Sequence, residues 1–399
     1  MVVFGLFMYP RHPAELPGKH KNVGTVRVRL PSATHAQVLY PCLANGGKVT
    51  QYMRSEAVDS LAALTGIPSC TFRHLDTIRS HPSPLEAPVL PRPNGSAGWP
   101  IIIFSHGTWG CEEMYTSLCR SLASYGYVVI ALEHEDGSGV YAVRADGKPV
   151  PFQSPWTHDP DDATYREPML RQRLKELEGA LADLSYEGEP SSKISSHLQS
   201  VLAQCDRSSF ILSGHSFGAA TCALAAQELG ASMRHRLLCA LLFDTWAGAM
   251  SEKSRLQGVP LPLLSVESEP WAVGKWGVEQ LNQNTPCAFY APSTEHQSFS
   301  DSSLFFPTCI ARKTRSLGPN ERRHKLHRAV ACVADAFATR ARQQHNNPMD
   351  SVVLSSQMLF STPEALLAQV RSEDVEGVLR PLHREEGFNL EEGSRAFNL

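Results

Sequence analysis

The sequence predicts an α/β domain in which helices flank a mostly parallel central sheet. Three observations lead to this prediction. Short apolar runs recur along the chain and are continuous rather than alternating, which is typical of strands that a parallel sheet buries on both faces. Segments with apolar residues three or four positions apart lie between these runs, as in amphipathic helices. The 399 residues, 42% apolar and 19% charged, have the composition of an ordinary globular protein.

Six of the apolar runs are the predicted strands. They lie at 100–107, 125–137, 208–216, 237–244, 261–269 and 286–292. The clearest helical patterns, each with apolar residues on one face, lie at 112–126, 166–184 and 321–337. Because strands and helices alternate along this part of the chain, we expect parallel strands joined by right-handed crossovers.

The predicted strands and helices fall within one main domain, residues 1–342. Residues 79–99 are rich in Pro, Ser and Gly, which predicts an extended loop before the first buried strand. Residues 144–165 follow the second strand and are predicted to be a surface insertion. Residues 343–399 contain enough apolar residues to form a helical segment and tail that pack on the same domain.

Charge and cysteine usage exclude several classes of function. A net charge of −3 gives no basis for nucleic-acid binding, which needs a clustered basic excess. The ten cysteines are scattered, form no C-x-x-C pair and lie mostly in apolar runs, so we expect reduced, buried thiols. No zinc-binding spacing occurs. We therefore expect neither a metal nor a cofactor, and the sequence does not indicate an oligomeric state.

The apolar N-terminal residues bear on location. Residues 1–9 are mostly apolar but are shorter than a secretory signal and have no basic flank before them. No run approaches the length of a membrane span, so we expect a cytoplasmic protein. Val2–Tyr9 is predicted to be a packed terminal strand. Peripheral contact with a membrane or lipid interface, through this segment or the apolar part of residues 109–122, is the alternative.

The segment "SSFILSGHSFGAATCALAAQEL" (208–229) contains the motif Gly-x-Ser-x-Gly around Ser216. The motif has meaning only in context, because a nucleophile elbow needs a buried strand, a sharp turn and a helix. Here an apolar strand precedes Ser216 and a run of small helix-forming residues follows it. We therefore predict that Ser216 is a nucleophile at a strand-to-helix turn, rather than one more serine in a small-residue loop.

A serine nucleophile needs a base to take its proton and a carboxylate to orient that base. On this type of sheet the three follow in the order Ser, acid, His. Asp244 closes the next apolar run and is the predicted acid, with a turn or helix cap as its alternative role. Asp136 also follows a strand but precedes Ser216, which breaks the order. His296, in "STEHQSFSD" after the last predicted strand, is the predicted base.

The remaining downstream histidines are expected to face solvent. They are His324 and His327 on a charged helix face, and His345 and His383 near the C-terminal tail. Acyl transfer also needs N–H donors for the developing oxyanion. The predicted donors are the backbone N–H groups of Phe217, the residue after the nucleophile, and Thr108 in "IFSHGTWG". His106 precedes the serine and is predicted to shape that loop.

With these residues identified, the chain resembles the platelet-activating factor acetylhydrolase family in its single-chain serine esterase form. The resemblance rests on segments that follow one another in the family's order over most of residues 23–340. They are "GTVRVRLPSATHAQVLYPC", "PIIIFSHGTWG", "YGYVVIALEHEDGS", "MLRQRLKELEGAL", "ILSGHSFGAAT", "FDTW" and "EHQSFSD". The segment "MDSVVLSSQMLFSTPEALLAQV" is also similar to the family's C-terminal helical segment.

The resemblance implies an α/β-hydrolase fold with a Ser216, Asp244 and His296 triad. It implies an oxyanion hole from Thr108 and Phe217, and metal-independent hydrolysis of short or oxidised acyl chains at the sn-2 position of phospholipids. Two departures bear on acyl-chain preference: residues 247–250 read "AGAM" where the family has bulkier residues, and Thr108 stands where an apolar residue is commoner.

The substrate is not decided by the triad alone. A general carboxylesterase or lipase of the same fold is the nearest alternative. A catalytically inactive hydrolase that binds lipid or a protein partner is an alternative from another class of function.

Overall fold

The computed structural model describes residues 10–382, apart from 33–34, 45, 154–162, 186–193, 275–276, 283–284, 286, 322–323, 347–358 and 371. Val2–Tyr9 and His383 lie outside the described residues, as do residues 154–162 of the insertion predicted at 144–165. No helix of the described ranges is both long enough and apolar enough to cross a bilayer.

Strands of the described residues form one sheet. Their bounds are β1 Val23–Arg29, β2 His35–Pro41, β3 Trp99–Ser105, β4 Val128–Leu132, β5 Cys205–His215, β6 Leu237–Phe243, β7 Leu263–Ser268, β8 Cys287–Ala291 and β9 Arg380–Pro381. Their order across the sheet is β1-β2-β4-β3-β5-β6-β7-β8-β9. Strands β3 to β8 pair in parallel, whereas β1, β2 and β9 join antiparallel. The mostly parallel sheet predicted from the sequence is confirmed.

The helices of the described residues lie between these strands along the chain. Their bounds are α1 Ser55–Thr65, α2 His74–Thr77, α3 Thr116–Ser124, α4 Ala163–Ser185, α5 Ser196–Leu202, α6 Phe217–Glu228, α7 Ala231–Arg234, α8 Glu252–Gln257, α9 Glu269–Val273, α10 Val278–Leu281, α11 Thr308–Lys313, α12 Lys325–His345, α13 Pro363–Leu367 and α14 Ser372–Val375. Short 3₁₀ turns include Glu112–Tyr115 and His296–Phe299.

The hydrophobic core is divided by the sheet into two clusters. Neighbouring residues of β5 point to opposite sides, since Ile211 belongs to one cluster and Leu212 to the other. Leu118 of α3 and Val330 of α12 cover the first face, while Leu198 of α5 and helices α4 and α6 cover the second. Burial on both faces explains why the strand sequences are continuously apolar.

The apolar face of residues 109–122 lies in this core. Met114 is 6% exposed and Leu118 and Leu122 are fully buried, so none of the three is available to a membrane. All ten cysteines lie in the described residues without a disulfide, and eight of them are buried, with Cys70 and Cys309 exposed.

One pair of strands was not predicted from the sequence. Strands β1 and β2 form an antiparallel pair at the sheet edge, where Arg27 and Arg29 of β1 alternate with buried valines. The predicted boundary at residue 342 falls inside helix α12. Beyond it, Phe360 stacks on Phe337 of α12 with ring centroids 6.1 Å apart, and β9 pairs with β8.

Candidate active site

Ser216 stands alone between strand β5 and helix α6, in a backbone conformation with φ of 57° and ψ of −120°. Positive φ in a residue with a side chain is strained and is found where the fold enforces it. Two glycines allow the turn. A Cβ on Gly218 would lie 2.0 Å from the carbonyl oxygen of Ser105, and one on Gly214 would lie 2.6 Å from that of Gly218. The sharp turn therefore depends on both glycines of the motif.

The structure places Ser216, His296 and Asp244 in one line of hydrogen bonds. Nε2 of His296 lies 3.0 Å from Oγ of Ser216, and Nδ1 of His296 lies 2.8 Å from Oδ2 of Asp244. The carboxylate accepts the proton on Nδ1, which leaves the lone pair of Nε2 facing the serine hydroxyl. This arrangement suits proton transfer from Ser216 to His296.

Asp244 is held by residues at the end of β7. The backbone N–H of Ser268 donates to Oδ1 of Asp244, and the Ser268 hydroxyl donates to Oδ2 over 2.6 Å. Burial raises the pKa of Asp244, and the two hydrogen bonds from Ser268 act in the opposite direction by stabilising the carboxylate. Burial also lowers the pKa of His296 to about 3, so the imidazole is neutral near pH 7.

The residues after β3 form a loop, here called the oxyanion loop (residues 106–110), that lies against Ser216. A Cβ added to Gly107 would lie 3.1 Å from Cβ of Ser216. The carbonyl oxygen of Gly107 accepts hydrogen bonds from Nδ1 of His106 over 2.8 Å and from the N–H of Gly110 over 3.0 Å. Because the peptide is trans, these bonds also fix the direction of the Thr108 N–H.

The N–H groups of Thr108 and Phe217 are available for an oxyanion. Among the described residues, neither group donates a hydrogen bond to a backbone or side-chain acceptor. Phe217 follows Ser216 directly, and Thr108 follows the glycine that touches Ser216. Two unused donors beside a serine that faces a neutral imidazole suit the stabilisation of a tetrahedral intermediate.

Comparisons with known proteins fit this geometry. The family model described as platelet-activating factor acetylhydrolase, isoform II, matches residues 71–348. This match spans the oxyanion loop, Ser216, Asp244 and His296, and covers well over half of the chain.

The chain belongs to this family.

Curated relatives share part of the chain. Platelet-activating factor acetylhydrolases of Cavia porcellus and Bos taurus are 32% and 30% identical over 181 and 185 residues, 43% of this chain in both cases. A putative phospholipase A2 of Schizosaccharomyces pombe is 31% identical over 193 residues, 41% of this chain and 44% of its own length. The chain spans about two fifths of the length of the two acetylhydrolases, 40% of each.

A solved structure supports the fold. A ferulic acid esterase from Streptomyces cinnamoneus superposes with a TM-score of 0.58 and 17% identity, over 85% of this chain and 95% of that one. With the sheet order given above, this likeness confirms the α/β-hydrolase fold that the resemblance implied.

Asp136, the alternative acid, has a different partner in this family member. Its Oδ2 accepts a hydrogen bond of 2.7 Å from Nε of Arg173, and both side chains are fully buried. Arg173 also donates to the carbonyl oxygen of His106 over 2.6 Å, and its guanidinium lies over the Phe217 ring at 4.7 Å. The pair therefore holds the oxyanion loop through the His106 carbonyl oxygen, and neither side chain hydrogen-bonds to His296.

The downstream histidines occupy different environments. His345 is exposed and His324 is partly exposed, as expected. His327 is buried instead, and its Nε2 lies 2.9 Å from the carbonyl oxygen of Ser298. The expectation that His327 faces solvent is wrong, because the first turn of α12 packs on the 3₁₀ turn that carries His296.

Trp271 was not predicted from the sequence. Its ring stacks on His296 with centroids 3.8 Å apart and planes 8° from parallel, and its Nε1 donates to the carbonyl oxygen of Thr245 over 3.1 Å. The indole thus holds the imidazole plane from one side. No spacing in the sequence indicates this contact, because it forms between α9 and a loop that lies 25 residues further along the chain.

Two clusters of the described residues place three potential metal ligands within 4.8 Å of one another. One consists of His215, Asp244 and His296, whose polar atoms already exchange hydrogen bonds with each other or with neighbouring groups. The other consists of Glu112, Glu113 and Glu133, and Arg54 forms ion pairs with all three. The guanidinium of Arg54 therefore already balances the negative charge of the three glutamates, as a metal ion would.

The departure at residues 247–250 lies in the interior. Ala247, Ala249 and Met250 are buried, and Trp246 packs 5.9 Å from the Phe217 ring. The backbone N–H of Trp246 donates to the carbonyl oxygen of Ser216 over 3.2 Å. The small residues therefore lie in the segment that follows this tryptophan, close to the base of the elbow.

Proposed function

We propose that this chain is a serine esterase that hydrolyses the short or oxidised sn-2 acyl ester of phospholipids through an acyl-enzyme intermediate, without a metal ion. The observation that carries the proposal is the line from Ser216 through His296 to Asp244, beside the unused N–H groups of Thr108 and Phe217. A nucleophile, a base, an orienting carboxylate and oxyanion donors are the parts that acyl transfer needs.

The first half of the reaction forms the acyl-enzyme. Ser216 Oγ attacks the carbonyl carbon of the ester while its proton moves to Nε2 of His296. The backbone N–H groups of Thr108 and Phe217 donate hydrogen bonds to the carbonyl oxygen as negative charge develops on it. As the intermediate collapses, His296 gives its proton to the leaving oxygen, and the lysophospholipid departs.

The second half regenerates the serine. A water molecule loses a proton to His296 and attacks the acyl carbon, and the second tetrahedral intermediate again places its charge at the same two N–H groups. Collapse returns the proton to Ser216 Oγ and releases the free acid. Asp244 keeps the imidazole in the tautomer that both halves require and stabilises the imidazolium that forms.

The phospholipid part of the proposal draws on family membership. The curated relatives are named for an acetylhydrolase that acts on platelet-activating factor and for a phospholipase A2. Two of the segments on which the family resemblance rests, "GHSFGAAT" and "EHQSFSD", surround Ser216 and His296.

The decisive assay compares three esters in the presence of a chelator. Purified protein is incubated with an sn-2 acetyl phospholipid, a long-chain phospholipid and p-nitrophenyl acetate. We expect acetate release from the first and little reaction with the second. Hydrolysis of p-nitrophenyl acetate alone would contradict the phospholipid part of the proposal and indicate a general carboxylesterase that acts on simple esters. No hydrolysis of any ester would favour a catalytically inactive lipid-binding homologue.

The nucleophile is tested by Ser216→Ala. We expect loss of fluorophosphonate labelling and a fall in kcat of at least about 10³-fold, as for other triad serines. Ser213→Ala is the matched control, because Ser213 is a buried serine of β5, the strand that leads to Ser216, and its hydroxyl donates to the carbonyl oxygen of Leu241 over 3.0 Å. The control should label normally. Continued labelling of Ser216→Ala would show that another serine reacts.

A further inference from the structure

His215, the residue before Ser216 in the motif, is buried and uses both ring nitrogens. Its Nε2 lies 3.0 Å from the carbonyl oxygen of His296, and its Nδ1 lies 2.9 Å from the hydroxyl oxygen of Tyr115. The Tyr115 hydroxyl in turn lies 3.1 Å from the backbone nitrogen of Gly107. Four groups therefore form one continuous chain of hydrogen bonds inside the protein.

The direction of every bond in this chain is fixed by its two ends. A carbonyl oxygen only accepts, so Nε2 of His215 carries the proton and Nδ1 is an acceptor. Tyr115 must then donate its hydroxyl proton to Nδ1, and its oxygen accepts the N–H of Gly107. Burial lowers the pKa of His215 well below its ordinary value, as does neighbouring His296, so this neutral tautomer persists near pH 7.

The ends of the chain belong to the two sides of the candidate site. One end is the backbone of His296, whose ring faces Ser216. The other is Gly107, whose neighbour Thr108 offers an N–H to the oxyanion. A Cβ on Gly107 would lie 3.1 Å from the Tyr115 hydroxyl, 3.1 Å from Cβ of Ser216 and 3.2 Å from Nδ1 of His215, so this chain lies directly against the elbow.

We propose that His215 and Tyr115 are positioning residues that fix the oxyanion loop relative to the imidazole of His296. The proposal rests on the proposed function, because it assigns the two residues a part in the same reaction. Transition-state stabilisation requires the donors and the base to be held in one geometry relative to the reacting carbon. The chain links the backbones of these two elements through the buried side chains of His215 and Tyr115.

Tyr115→Phe is the sharpest test, since it removes one oxygen atom. The aromatic ring remains and keeps its contact with Phe104, whose centroid lies 5.0 Å away. The N–H of Gly107 and Nδ1 of His215 both lose their partner. We expect kcat for p-nitrophenyl acetate to fall about 10- to 100-fold, the range that misplacement of reacting groups produces, with KM changed less than about twofold.

Tyr127→Phe is the matched control. Tyr127 is also a buried tyrosine with a side-chain partner, because its hydroxyl donates to Oδ1 of Asp335 over 2.9 Å, and it precedes β4 at the opposite end of the sheet. Both variants should lower the melting temperature. Rates are expressed per site reactive to fluorophosphonate after long incubation, so that unfolded protein does not count. Only Tyr115→Phe should lose kcat.

His215 supplies the second arm of the test. His215→Phe removes both hydrogen bonds, whereas His215→Gln keeps a donor and an acceptor and should retain more activity. If the residues act as one chain, the double variant Tyr115→Phe/His215→Phe should be no slower than His215→Phe.

Additive losses in the double variant, or an unchanged kcat in Tyr115→Phe with an active wild type, would overturn this inference alone. A wild type that neither hydrolyses an ester nor labels would overturn the proposed function together with it.

Discussion

The two ends of the parallel sheet differ in which residue types have positive φ. Ser216 and Asp244 directly follow β5 and β6 and have positive φ values of 57° and 44°. At the opposite end, the positive-φ residues just before β3 and β4 are glycines. Gly98 lies one residue before β3, and Gly126 lies two residues before β4. Positive φ is unstrained in glycine but costs a residue with a Cβ about 1–2 kcal/mol.

This difference separates positions where the turn alone matters from positions where the side chain also matters. Glycine would relieve the strain at Ser216 and Asp244, but it would remove the hydroxyl and the carboxylate that face His296. Strain in side-chain-bearing residues clusters at functional sites for this reason. Changes at the carboxyl end of the strands should therefore affect turnover, while changes at the amino end should affect stability alone.

The largest expected effect is that of Asp244→Asn. The amide keeps the shape but cannot hold His296 in the required tautomer, so we expect kcat to fall about 10³- to 10⁴-fold. Steady-state kinetics on p-nitrophenyl acetate measures the loss. Asp136→Asn is the comparison, because Asp136 is equally buried but pairs with Arg173 beside the oxyanion loop, so it should lower the melting temperature and reduce kcat much less than Asp244→Asn does. A near-normal rate for Asp244→Asn, with a severe loss for Asp136→Asn, would reverse the assignment.

A smaller effect is expected at Trp271. A stacked aromatic pair contributes about 0.5–1.5 kcal/mol beyond burial, so Trp271→Ala should lower kcat about 2- to 10-fold. The pH profile should also change. His296 must be neutral to act as the base, and burial is what lowers its pKa. The acid limb of kcat/KM therefore lies below the ordinary histidine pKa of about 6.5 in the wild type and moves to higher pH when the indole is removed.

Trp271→Phe is the control for that experiment. A phenyl ring keeps one face of the imidazole covered, so the acid limb should stay near its wild-type position. An acid limb that does not move in Trp271→Ala would show that the indole does not contribute to the burial of His296.

The sequence predicted the parallel strands from local apolar runs. It predicted that Ser216, Asp244 and His296 act together, because the topology of this type of sheet requires the order Ser, acid, His along the chain. An apolar run reports burial on both faces, and a polar residue at its end reports the edge where functional groups meet. Contacts between distant loops leave no such pattern. Trp271 against His296, and Tyr115 between His215 and Gly107, depend on how loops from different strands pack.

The edge pair β1 and β2 was missed for another reason. Its alternating arginines form ion pairs with acidic residues outside the two strands, such as Glu113 and Glu135, so a half-polar segment is stable in the sheet. The burial of His327 likewise depends on packing between the first turn of α12 and the turn that carries His296. Partners that lie far apart in the sequence decide both cases.

The smallest expected effect is at the amino end, where Asp335 of α12 accepts the hydroxyl of Tyr127. Burial raises the pKa of Asp335 to about 6. At pH 4 the folded protein keeps this carboxyl protonated, whereas above pH 6 it must hold a buried negative charge that the unfolded chain exposes to water. A raised carboxyl pKa therefore lowers stability as pH rises through this range.

Asp335→Asn removes the charge and leaves an oxygen that accepts a hydrogen bond from the Tyr127 hydroxyl. We expect its melting temperature to match the wild type at pH 4 and to exceed it by about 2–4 °C at pH 8, with kcat unchanged at both. A loss of kcat at this distance from Ser216 would contradict the division between the two ends of the sheet.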